Sequence, residues 1–167
     1  SKILDTPWHF RFRSGAEAPF LPVFPRIVDV TRHTGEGPWS GFLKKGIELA
    51  CIRRAVRIGA DFTLSADFHV DAALYDRAVA RIGKLEGVNL RRELDVQILR
   101  MTNDVRVETF APALWPMMQV KEGAPVLAVE TRAYAQNPTG NYFQRMIVPP
   151  SPDWLHISDF GPGAPTV

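Results

Sequence analysis
Apolar and polar positions alternate most regularly between residues 61 and 70. Phe62, Leu64, Ala66, Phe68 and Val70 fall on one face, and Asp61, Thr63, Ser65, Asp67 and His69 on the other. A period of two predicts a strand. Residues 47–58 predict its hairpin partner, joined around Gly59-Ala60. Earlier, the aromatic and basic run Trp8–Arg13 predicts a short strand, and the connector up to residue 20 a loop. Pro22–Thr34 carries Val23, Phe24, Ile27, Val28 and Val30 and predicts a strand stopped at Gly35-Glu36-Gly37-Pro38. A short helical segment is expected through Phe42 and Leu43.

Downstream the period changes. Asp71 can cap a helix whose Leu74, Ala78, Ile82 and Leu85 recur near helical spacing, before Glu86-Gly87-Val88-Asn89 breaks it and restarts a turn. Residues 95–109 predict a long strand, Pro112–Met118 a short helix, and 124–136 and 141–148 two more strands turned at Asn137-Pro138-Thr139-Gly140. The Pro- and Gly-rich tail after Pro149 is expected to lie along the surface.

A faint internal repeat organises these elements. Leu43-Lys44-Lys45-Gly46 precedes a hairpin ending at Val70, and Val120-Lys121-Glu122-Gly123 precedes one ending at Val148. In both copies a strand ends 13 residues before the Leu or Val, at Val30 and at Val107. Two strand–helix–hairpin halves then pair into one antiparallel sheet of about six strands, partly covered by short helices, with a groove between halves. The fold class is α+β, and such a groove is a natural ligand site.

Composition narrows the function. With 167 residues, 46% apolar and 23% charged, residues 1–167 fit one globular domain with a real core. Twenty Lys and Arg against 18 Asp and Glu leave too small a surplus for a nucleic-acid-binding stripe. The single Cys51 excludes an internal disulfide or a multi-cysteine metal site and agrees with a cytoplasmic location. No apolar run approaches the roughly 18 residues of a membrane span. The chain opens Ser-Lys without a methionine or a signal-type segment, so residues upstream are expected to be missing.

Common nucleotide, zinc-protease and serine-hydrolase motifs are absent, which argues against an enzyme. The four histidines, at 9, 33, 69 and 156, are too scattered to place a metal. Neither metal nor cofactor is expected. The arginines are more informative. In residues 47–58 the even positions Ala50, Ile52, Val56 and Ile58 form an apolar face that Arg54 interrupts. A guanidinium directed at a half-buried surface needs an anion or several acceptors: a small carboxylate or phosphate effector, or an internal Asp or Glu. A strand standing out in solvent is the other alternative. Farther on, Glu130, Arg132 and Tyr134 share a face, and the next strand presents Tyr142 and Gln144 together. Arg132 could contact an anion, Tyr134 could close over an apolar or ring-shaped body, and Gln144 could hydrogen-bond. Equally, Glu130 could pair with an arginine across the sheet and Tyr134 could be rim packing.

Several segments, in order, resemble the UTRA effector-binding domain of GntR-type regulators in the HutC-like branch. They are Trp8-His9-Phe10-Arg11-Phe12, Pro22–Val28, Gly37-Pro38-Trp39, Ser65–Asp71, Leu85–Arg91 and Gly123-Ala124-Pro125-Val126-Leu127. The resemblance covers nearly the whole chain. It implies a chorismate-lyase-like fold, a homodimer, and an effector whose binding modulates DNA binding by a separate N-terminal winged helix. No helix-turn-helix pattern precedes Trp8, so contact with DNA is expected only through a domain outside this chain. By position, the resemblance makes Arg53 or Arg54 the contact for the effector's anionic group. It places Ser65 and Gln144 near polar or acidic pocket positions, and Asn89 and Arg91 in a loop motif of the relatives. Relatives often have Glu where this chain has Gln144, so an effector held through that Glu is not assumed. The candidate ligand-binding set is therefore Arg53, Arg54, Ser65, Asn89, Arg91, Arg132, Tyr134 and Gln144, with no catalytic residue. The runner-up function is a chorismate-lyase-type enzyme releasing pyruvate from chorismate.

Overall fold
The computed structural model describes residues 9–113, 115 and 118–158. In chain order these form β1 (Phe10–Arg13), β2 (Val23–His33), β3 (Leu49–Ile58), β4 (Phe62–Asp71), α1 (Ala72–Ile82), α2 (Leu90–Glu93), β5 (Ile98–Thr109), β6 (Pro125–Ala135), β7 (Tyr142–Val148) and β8 (Trp154–Ile157). A six-stranded sheet runs β2-β3-β4-β7-β6-β5, and β1 pairs separately with β8. Every pairing is antiparallel. The order is two three-strand meanders, β2-β3-β4 and β5-β6-β7, joined where β4 meets β7. The two expected halves pair in this way.

Register decides which side chains share a face. Arg54 lies opposite Ala66, Phe68 opposite Gln144, and Thr131 opposite Gln144. Directly opposed residues point to the same side of a sheet. Even positions of β3, β4 and β7 and odd positions of β6 therefore form one face, and the complementary positions form the reverse face.

The first face carries two covers. Over one end, α1, α2 and the residues flanking α2 pack Ala78, Leu85, Leu90 and Leu94 against Ile52, Phe68, Val70 and Tyr142. Asp71 caps α1 by accepting from the Ala73 N–H at 2.9 Å, and Gly83 at φ 82° ends it in the left-handed region that glycine enters at little cost. Asn89 caps α2 by accepting from Arg92 N–H, while the Glu93 carboxylate accepts from the Glu86 and Gly87 N–H groups. Over the other end, Phe10 and Phe12 of β1 pack against Val56, Ile58, Leu64, Val129 and Met146. Each ring is 2% exposed, so its burial contributes about 1.5–3 kcal/mol.

Two expectations are corrected, and a third falls partly outside the described residues. The tail does not simply follow the surface: Trp154–Ile157 pairs with β1, and the Ser158 N–H donates to the His9 carbonyl at 2.8 Å. A strand with both phenylalanines buried still has backbone groups to satisfy, and the tail supplies them. No helix forms at Phe42–Leu43, where both N–H groups donate to the Trp39 carbonyl in a single turn. Between Pro38 and Gly46 the segment is too short to repay helix nucleation. Among the described residues of 112–118 there are turns, with the Met118 N–H donating to Trp115 O; residues 114, 116 and 117 of that expected helix, like Trp8, lie outside the described residues. These turns place Trp39 and Phe42, and Phe110, Trp115 and Met118, on the reverse face of the sheet.

Candidate functional site
A cavity of about 40 Å³ opens on the first face at the seam between the helical cover and the β1/β8 ribbon. This is room for a small oxyanion or a few waters. The sheet supplies the floor: Arg54 from β3, Phe68 from β4, Tyr142 and Gln144 from β7. The loop into α2 supplies Val88, Asn89 and Arg91, and the ribbon supplies His9 and Phe10. Wider depressions exist, one of about 720 Å³ beside Arg77 and Arg81, but both of those arginines are exposed, whereas Arg54 is only 4% exposed.

Arg54 is held in place by two acceptors. Its Nη1 donates to the Gly87 carbonyl at 2.9 Å, and its Nη2 reaches across β4 to donate to Gln144 Oε1 at 2.7 Å. The close approach depends on Gly87, whose φ is 85° and whose missing Cβ would lie 2.7 Å from Ile27 Cγ1. Burial pushes the Arg54 pKa down to about 10, with the Arg91 guanidinium acting in the same direction against Tyr142 and Glu93. Burial also lowers Arg91. Tyr142, stacked on Phe68 with centroids 4.2 Å apart, is raised to about 12 by burial although both arginines pull it down. His9 is lowered to about 3, first by burial and then by Arg91 and Arg54. Among the described lining residues none is acidic. Donor groups thus line a small space beside a buried guanidinium, an arrangement suited to an anion.

Four of the eight candidate ligand-binding residues, Arg54, Asn89, Arg91 and Gln144, meet at this cavity. Asn89 has a second duty as the cap of α2. The other four lie on the reverse face. Arg53 forms a two-bonded ion pair with Asp67, at 3.0 and 3.1 Å, and lies over the Trp115 ring. Ser65 is buried between Ala55 and Ile147. Arg132 donates to Asp104 at 3.0 Å, and Tyr134 packs edge-on against Phe42 under the Arg100 guanidinium. Across the sheet, the Arg145 guanidinium donates to Glu130 at 2.8 Å.

The lining residues outside the candidate set are His9, Phe10, Phe68, Val88, Leu90 and Tyr142. Phe10 was placed in a strand, but nothing local marks the β1 strand as the wall of a site formed some 40 residues or more away. Cys51 is buried, with its thiol pushed up to about 12 by burial, as suits a core residue better than a nucleophile. Among the described residues no three His, Cys, Asp or Glu side chains converge as metal ligands, and no helix is long and apolar enough to cross a membrane.

The fold is that of regulator effector domains. The ligand-binding domain of a protein described as a GntR-family transcriptional regulator, from Bordetella bronchiseptica, superposes with a TM-score of 0.65 at 17% identity, covering 83% of this chain and 90% of that one. The effector domain of PhnF from Mycobacterium smegmatis gives 0.65 at 13% identity, over 77% and 82% of the two chains. The C-terminal domain of Yurk from Bacillus subtilis gives 0.61 at 11% identity, over 74% and 87%. Against the longer PhnF structure the match covers 59% of that chain. At such identities the likeness is one of fold. No protein-family model and no curated protein sequence matches the chain.

Proposed function
We propose that this chain is the effector-sensing domain of a GntR-type transcription regulator in the HutC-like branch, taking a small anionic metabolite between Arg54 and Arg91. The single observation that supports the site most strongly is the convergence of two guanidiniums on one cavity at a seam between three structural bodies. Burial makes the charged form of Arg54 costly, and an anion seated beside it offsets that cost. Fold likeness to effector domains supports the regulatory role.

The output of such a domain is binding energy. A homodimer with two arrangements responds if the anion prefers one of them, and a tenfold preference supplies about 1.4 kcal/mol to shift the operator affinity of a winged helix on the same regulator. Calorimetric titration against small carboxylates, inorganic phosphate and phosphorylated metabolites tests the site. Saturable binding is expected in the parent, with at least a tenfold loss in Arg54→Met and in Arg91→Met. Silence across the panel would sink the reading. Incubation with chorismate is expected to release no 4-hydroxybenzoate; turnover would overturn the regulatory assignment.

A further inference from the structure
The two edges of the six-stranded sheet are built differently. β2 ends the sheet on one side, with Pro25 in its run and a bulge between Ile27 and Asp29. Proline and bulges both spoil an edge as a template for another strand. β5 ends the sheet on the other side with neither proline nor lysine in Ile98–Thr109, and from Met101 to Thr109 its register against β6 is unbroken. No other strand among the described residues pairs with its outer edge. A long, regular edge of this kind presents a row of backbone N–H and C=O groups that a further strand can satisfy.

The side chains along this edge are of two kinds. Asn103 lies opposite Thr131, so the odd positions of β5 belong to the first face. There Val105 is 50% exposed and Val107 69% exposed, although Val129, directly opposite Val105, is fully buried. On the reverse face the same stretch carries Thr102, Asp104, Arg106 and Glu108. Asp104 and Arg106 reach solvent, with side chains 78% and 74% exposed.

Antiparallel pairing of β5 with a second β5 has few possible registers. Opposed residues share a face, so one register differs from the next by a slide of two residues. With Val105 opposite its own copy, Asp104 meets Arg106 on both sides of the seam, and Glu108 meets Thr102. One slide from there opposes Asp104 to Asp104, and one slide the other way opposes Arg106 to Arg106. Longer slides shorten the run or include the irregular step between Ile98 and Arg100. The edge is therefore complementary to itself, as a closed twofold contact requires.

We propose that β5 is the surface through which two copies of this chain join, with Met101–Thr109 lying antiparallel to itself about a twofold axis at Val105. The proposal rests on the functional reading for the homodimer, whose surface and register it names, and it is independent of the anion site. Backbone hydrogen bonds supply the affinity, Val105 of each copy covers the other, and the Asp104–Arg106 pairs fix the register. The axis stands perpendicular to the sheet, so the two sheets become continuous and both Arg54 cavities open on the same side. A single ladder of this length lies at the small end of stable interfaces, so a dissociation constant on the order of micromolar is expected.

Sedimentation equilibrium of the chain across the micromolar range should show monomer and dimer exchanging. Arg106→Glu sets acid against acid at the seam, Asp104→Arg sets base against base, and each should weaken the dimer at least tenfold. The double variant Asp104→Arg/Arg106→Glu should recover to within about threefold of the parent. Both side chains are exposed, so folding should be little affected. Mild oxidation should cross-link the copies through Val105→Cys but not through the more exposed Val107→Cys, which faces Asn103 of the other copy; Cys51 is buried. A double variant no tighter than the single ones overturns the register. A dimer that resists both charge reversals, or that cross-links through Val107→Cys rather than Val105→Cys, overturns the β5 surface and leaves the homodimer standing. A chain that stays monomeric at every concentration overturns both. Sulfate titration by calorimetry tests the anion site of the Arg54 cavity separately, and its result should be the same in the parent and in the charge-reversal variants.

Discussion

If Arg54 is kept for binding, replacing it together with its side-chain acceptor Gln144 by apolar residues should stabilise the domain while abolishing anion binding. The lowered pKa, from the ordinary 12.5 to about 10, gives the scale. A depression of that size corresponds to roughly 3 kcal/mol by which the fold disfavours the charged form, at about 1.36 kcal/mol per unit. For a base with a depressed folded pKa the cost is fully present below pH 10. It disappears only as the pH rises through 10 toward 12.5, where both states lose the proton. Against this stand two hydrogen bonds, to Gly87 O and Gln144 Oε1. Removing the donor alone leaves two buried acceptors, each costing about 1–3 kcal/mol, so Arg54→Met should be near neutral or mildly destabilising. In Arg54→Met/Gln144→Leu one acceptor is gone and apolar area is gained. The double variant should be more stable than the parent by on the order of 2 kcal/mol, raising Tm by about 4–8 °C. Urea unfolding followed by tryptophan fluorescence measures the first quantity, scanning calorimetry the second, and sulfate titration should show no binding. A double variant less stable than the parent by more than about 1 kcal/mol would refute the argument and make Arg54 a structural anchor.

Three further outcomes follow from the same geometry. Gln144→Glu puts a carboxylate beside Arg54 Nη2, now 2.7 Å from the amide oxygen, and this internal anion should weaken sulfate binding at least tenfold; undiminished binding would contradict an anion site there. Arg132→Ala removes a reverse-face arginine paired with an Asp104 whose side chain is 78% exposed, so stability should change by less than about 1 kcal/mol and sulfate affinity by less than twofold. A tenfold loss would mean that the site lies on the other face. Buried His9 and His69 both sit at about 3, below their ordinary 6.5, so the unfolded chain takes up these protons first and stability falls as the pH drops from 6.5 toward 3. At pH 4.5 each histidine should cost the fold on the order of 2–3 kcal/mol. Urea unfolding at pH 7.5 and 4.5 should therefore show a smaller acid loss in His69→Gln; an equal loss would speak against burial as the cause.

Most of the sheet was legible because its strands alternate in the chain itself. The even positions of residues 62–70 lie on the side predicted, since Phe68 and Val70 pack with Ala50 and Ile52. Asp71 caps the helix that its position before Leu74 suggested. The weak repeat proved informative because each half closes as a local meander before the halves meet. What failed was non-local or marginal. The pairing of β8 with β1 joins segments at opposite ends of the described chain, and Trp154–Ile157 contains nothing that names its partner. The single turn at Trp39–Leu43 is stabilised by packing against Leu49 and Phe143, which a local window does not contain.

The site was legible wherever a face could be read from one strand alone. Alternation put Arg54 with Ile52 and Val56, and the structure places Arg53 and Arg54 on opposite faces of the sheet. Arg132 and Tyr134 lie on the other face from Gln144, and reading that required the register between β6 and β7. Gln144 lies opposite Thr131, so it shares a face with the odd positions of β6. A change of one residue in register would have exchanged the faces. The consequence reaches beyond bookkeeping of faces, because the partner met across the sheet decides what a buried cation does. Arg53 meets Asp67 and becomes half of an internal ion pair, whereas its chain neighbour Arg54 meets a neutral amide and a backbone carbonyl. The two adjacent arginines therefore answer to different surroundings, one on each side of the sheet.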